Sequence, residues 1–136
     1  MVEALGPFMP WLHLMGRVLF AMVFIASGMN HLMKLDEKSA QAASKGVPAA
    51  KAATALSGLM MLAGGVMVVL GWHPLRGAGL LVIVLIPKAF MMHAFWKESD
   101  PQASMNERSH FMKDLALAGA ALLIAFYASL PWPMSL

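Results

Sequence analysis

The chain has 136 residues, 60% hydrophobic and 12% charged, with a mean hydropathy of +0.68. That bounds it to one domain and excludes a soluble monomer and intrinsic disorder, since ordinary globular domains carry about 25% charged residues. Cysteine is absent, which removes disulfide scaffolds, thiol catalysis, iron–sulfur ligation and Cys-zinc sites, and the net charge of +3 reads as topogenic, not as a nucleic-acid surface.

Spanning about 30 Å of hydrocarbon takes roughly 20 apolar residues in a helix. Four stretches qualify: Trp11–Leu32, Ala49–Trp72, Leu75–Trp96 and Phe111–Leu130. None alternates with period two, so an outer-membrane barrel is not expected. The first lacks a basic flank and an Ala-x-Ala cleavage site, so it reads as a retained helix and not as a signal peptide. Residues 33–48 and 97–110 are polar and read as loops, while "GWHP" is a tight turn that makes the second and third spans antiparallel neighbours. The segment "LPWPMSL", with two prolines, cannot extend the fourth span. The fold class is all-α, an up-down four-helix transmembrane bundle. Lys34, Lys38, Lys45, Lys51, Lys97, Arg108 and Lys113 gather around the first and third loops, against Arg17 and Arg76 at the other end. The positive-inside rule then puts those loops in the cytoplasm and both termini outside.

Ionisable groups at membrane depth are costly and mark functional sites by default. Lys88 lies roughly 12 Å inside the third span at 1.5 Å per residue, next to Pro87, which frees a carbonyl one turn earlier. It either snorkels toward the third loop or faces the interior, with Asp114 as its acid partner. His93 and Trp96, spaced i and i+3, are expected on one face of the third span. His110, Lys113 and Asp114 open the fourth span, and Asn30 and His31 close the first, at the same end of the bundle. Trp96 alone reads as an interfacial belt residue and each histidine alone as a helix-end residue. Their convergence reads as a ligand site suited to a quinone headgroup, which needs donors to its carbonyl oxygens and a group that exchanges protons near neutral pH. Arg17 and His13, one turn apart near the other end, form a second polar site. There, interfacial snorkelling of Arg17 is the expectation, with Glu3 as an optional partner.

No His pair at i, i+4 and no Glu-x-x-His occurs, so a haem, di-iron or other metal site is not expected. The 14 methionines are scattered and read as packing, not as copper ligands. Gly58, Gly64, Gly65, Ala116, Gly119, Ala120 and Ala121 permit close helix approach.

Taken in order, "GRVLFAMVFIASGMNHL", "AASKGVP", "GLMMLAGGVMVVLGW", "IPKAFMMHAFW" and "HFMKDLALAGAALLI" make the chain resemble the DoxX family of small four-span membrane proteins, from about Gly16 to Tyr127. The resemblance implies a cytoplasmic (inner) membrane protein of a bacterium or archaeon, with quinone-linked redox chemistry and a membrane or redox protein partner. The family takes its name from a subunit of an archaeal thiosulfate:quinone oxidoreductase. On this resemblance Arg17, His93, Trp96, Lys113 and Asp114 fall on recurrent polar positions. The chain departs from the pattern at Met61, where many relatives carry an acid, at His31 in place of lysine, at Asp114 in place of asparagine and at Lys88 in place of a small residue. The alternative is a non-catalytic accessory subunit of a larger complex. A transporter is disfavoured by the short chain and the lack of an inverted repeat.

Overall fold

In hydrocarbon the backbone must satisfy its own hydrogen bonds, and the Leu-, Ala-, Met- and Val-rich runs carry few side chains that compete for them. Helix follows throughout. The computed structural model describes residues 2–136: α1 (Val2–Leu5), α2 (Met9–Met33), α3 (Leu35–Ser44), α4 (Ala50–Leu70), α5 (Pro74–Met92) and α6 (Pro101–Phe126), with single 3-10 turns at Gly6–Phe8, Phe95–Lys97 and Tyr127–Ser129. Four of the helical stretches are long and apolar enough to cross a membrane. The protein is an all-α, multi-pass membrane bundle in which α2 packs on α4, α4 on α5 and α5 on α6, while α2 and α6 make no comparable contact.

The middle helix, α4, is flanked on both sides at backbone range. A β-carbon at Gly28 would stand 2.7 Å from the Gly58 carbonyl oxygen, and one at Gly64 would stand 2.9 Å from the carbonyl of Gly77. The small residues thus let α4 lie directly against α2 and α5, as close apposition in lipid requires. Between these contacts Phe24, Met61, Val68, Leu81, Val84, Leu85 and Ala118 form the core. The turn after α4 places Gly71 at φ +67, where a residue without a β-carbon is unstrained.

Both expected loops turn out to be largely helical. Within 33–48, Leu35, Ser39 and Ala42 recur on one face, and α3 lays that face on α4 with Ser39 and Ala42 buried. The Ser39 hydroxyl donates back to the Leu35 carbonyl at 2.5 Å. Within 97–110, Asp100 caps a helix whose first residue is Pro101, accepting from the Ala103 N–H at 2.9 Å. The helix α6 therefore starts ten residues before the apolar run it was expected to begin with. At the other boundary α5 stops at Met92, before Trp96.

The Gly28–Gly58 contact yields a direct test. Gly28→Ala drives a methyl into α4 backbone and should lower thermal stability in detergent by about 1–3 kcal/mol. Gly16→Ala, where a β-carbon meets nothing within 4 Å, should change it by less than about 0.5 kcal/mol. Equal melting temperatures for the two variants would contradict the packing described.

Candidate functional site

Because "GWHP" joins α4 to α5 at one end, the two helices are free to part at the other. There they leave a cavity of about 540 Å3 whose wall is completed by the ends of α2 and α3 and by α6. Asn30, His31, Lys88, His93, His110 and Lys113 line it. Its remaining surface is largely apolar, with Leu56, Met60, Met61, Ile83, Val84 and Met91 among the contributors. Leu56 and Ile83 are also 59% and 62% exposed, so the cavity borders the lipid-facing flank between α4 and α5.

Behind this wall lies Asp114, which is 1% exposed. Its Oδ1 is 3.6 Å from Lys88 Nζ and its Oδ2 is 3.6 Å from His93 Nε2. Oδ2 has no hydrogen-bond partner among the described residues. The ring of His93 bridges outward: Nδ1 donates to Glu107 Oε2 at 2.7 Å. Glu107 is in turn held by Lys45 Nζ at 3.8 Å, and Lys45 also reaches Glu98 at 3.6 Å. The result is a connected chain, Lys45–Glu107–His93–Asp114–Lys88, running from half-exposed side chains to a carboxylate in the interior. His110 stacks on His93 with ring centroids 5.0 Å apart. His31 donates from Nδ1 to the Ser27 carbonyl at 2.7 Å, which fixes its tautomer and leaves Nε2 without the proton.

Most of the expected cluster is therefore brought together, and Lys88 faces Asp114 with 29% of its side chain exposed, not the lipid headgroups. Trp96 is the exception. Because α5 ends at Met92 and His93 has left helical geometry, the i, i+3 face no longer exists. Trp96 turns instead into an aromatic cluster with Phe90, Phe95 and Phe111. Glu107 and Lys45 are the members that sequence reasoning missed. Glu107 precedes Asp114 by seven residues, two turns on one helix face, a relation visible only once residues 101–110 are known to be helical.

At the opposite end Arg17 is 4% exposed and does not snorkel. It donates to the carbonyls of Pro133 and Met134 at 3.0 and 2.8 Å and lies 5.7 Å from the Trp132 ring centroid. Glu3 makes no ion pair with it among the described residues. His13 packs edge-on against Trp132 at 5.0 Å.

A family model, DoxX, matches residues 12–94. That interval runs from α2 to just past the end of α5 and stops short of α6. Neither the curated proteins nor the solved structures bring a match.

The buried pair is open to a double-substitution test. Removing one partner of a fully buried ion pair costs about 3–5 kcal/mol. Lys88 keeps some contact with solvent, so Lys88→Met should cost less, about 1–3 kcal/mol of stability in detergent. Adding Asp114→Asn should recover much of that loss. Strictly additive effects would show that the two side chains are not coupled.

Proposed function

The chain belongs to the DoxX family, and on that premise we propose that it is a membrane subunit supporting quinone-linked redox chemistry, with the cavity between α4 and α5 as the headgroup site. The observation that carries this reading is the division of the cavity wall. His31, Lys88, His93 and His110 supply its polar part, and the apolar remainder borders the lipid-facing flank. A headgroup with two carbonyl oxygens needs a donor for each, which the Lys88 ammonium and a ring N–H of His110 provide. Its hydrocarbon tail needs an apolar exit, which the Leu56–Ile83 flank provides. A bound quinone supplies the electron chemistry; the residues of this chain bind it, orient it and exchange protons. His93 is suited to the last task because its two ring nitrogens face different carboxylates, Glu107 at Nδ1 and Asp114 at Nε2. Met61, which on the family resemblance stands where many relatives carry an acid, is buried in the cavity wall. On this reading Asp114 on α6 takes over the acid's place. Electrons come from a membrane or redox protein partner.

The proposed location is the cytoplasmic membrane of a bacterium or archaeon. Lysine and arginine crowd the α3 end, so the positive-inside rule directs that end, and the cavity with it, to the cytoplasm. Ser44 and Ser135 are exposed at opposite ends, and the chain has no cysteine of its own. In intact cells Ser44→Cys should resist an impermeant thiol reagent and Ser135→Cys should label. The reverse pattern would invert the orientation.

A short-tail quinone titrated into the purified protein tests the site. Wild type and Trp96→Phe should bind alike, because Trp96 lies outside the cavity. His93→Ala should weaken binding by about 1–3 kcal/mol, roughly five- to 150-fold, and Ser57→Phe, which fills the cavity, should abolish it. Equal affinity in all four proteins would replace this reading with that of a non-catalytic accessory subunit.

A further inference from the structure

The end of the bundle away from the cavity holds a charge that no carboxylate among the described residues neutralises. Arg17 lies about 12 Å into α2 from Met9 at 1.5 Å per residue, and it is 4% exposed. Two of its nitrogens donate to the carbonyls of Pro133 and Met134, but carbonyl dipoles leave the unit charge in place. Its Nε is buried without a partner, as is Nδ1 of His13 one turn away. No carboxylate among the described residues lies within ion-pair distance of the guanidinium. A guanidinium inside a bilayer without a counter-ion is costly, so the site calls for an anion from outside the chain.

The space for one is adjacent. Arg17 and His13 border a second cavity of about 490 Å3, whose other walls are mostly apolar and include Phe20, Leu123 and Ile124. It lies between α2 and α6, the flank that helix packing leaves unsealed. Gly16 lines it, and a β-carbon there would meet nothing within 4 Å. A polar end at Arg17 and His13, continued by an apolar groove, has the outline of one lipid molecule and not of a free ion.

We propose that the groove between α2 and α6 is a binding site for an acidic phospholipid, its phosphate held by Arg17 and His13 and one acyl chain lying along Phe20, Leu123 and Ile124. The site is separate from the quinone cavity, and its occupancy does not depend on that reading. Charge decides the lipid class: a headgroup with net negative charge neutralises Arg17, whereas a zwitterionic one brings its own cation into the same mouth.

The test uses full-length protein delipidated in a neutral detergent, with lipid retention counted by native mass spectrometry and stability followed by thermal unfolding. Phosphatidylglycerol should be retained and should raise the melting temperature, with phosphatidylcholine weaker by at least about tenfold and inorganic phosphate without effect. Arg17→Gln should lose the preference, but it also releases residues 133–134. Gly16→Leu therefore serves as the second variant. It fills the groove without removing a hydrogen bond, so it should keep the lipid-free melting temperature and lose phosphatidylglycerol retention. Equal retention of the two lipids, stabilisation by phosphate alone, or undiminished retention in Gly16→Leu would each overturn the proposal.

Discussion

A carboxylate has been placed where the surroundings give it almost no water, and much of one end of the molecule is arranged around that fact. Asp114 sits on a span that must lie in hydrocarbon, where an unmatched charge is penalised far more heavily than at a surface. Lys88 on α5 and His93 just past its end approach it, and Glu107 and Lys45 extend the polar network outward. The register of α6 against α5 is the one that brings these groups into line. The same contacts fix the rear wall of the large cavity, so the polarity of the cavity and the pairing of the last two spans have a common cause.

The two ends of the bundle manage buried charge differently. At the α3 end Asp114 and Glu107 are met by Lys88 and Lys45 within the chain. At the other end Arg17 is met by backbone carbonyls and an aromatic face, which orient the guanidinium without cancelling it.

How much of this was legible in the sequence follows from the kind of signal each feature leaves. Four spans are forced by apolar runs too long for any other use, and the glycines at 58, 64 and 65 announced close contact by their size. The pairing of Lys88 with Asp114 could be read because two rare charges in apolar runs leave few partners. The helical state of 35–44 and 101–110 was obscured by polarity, although Asp100 followed by Pro101 is a helix start in its own right. Reading those two residues as a cap would have put Glu107, His110 and Asp114 on one face at i, i+3 and i+7. Trp96 was misplaced because α5 ends at Met92 and the chain turns at His93, and no residue there signals a stop. The partners of Arg17 had no signal at all, since backbone carbonyls supplied by a distant segment carry no side-chain identity.

Each span packs on the one synthesised before it, α4 on α2, α5 on α4 and α6 on α5. That order has a consequence for how the protein enters the membrane. An aspartate costs about 2.5–3.5 kcal/mol at the centre of an inserting helix and less toward its end, where Asp114 lies, still a penalty on insertion of an uncompensated segment. Here Lys88 and His93 emerge from the ribosome first, so α6 arrives to find its lysine counter-charge and a polar ring already lodged in the bilayer. Chain order thus acts as a chaperone for Asp114, and a circular permutation that delivered α6 ahead of α5 would preserve every final contact while removing that assistance.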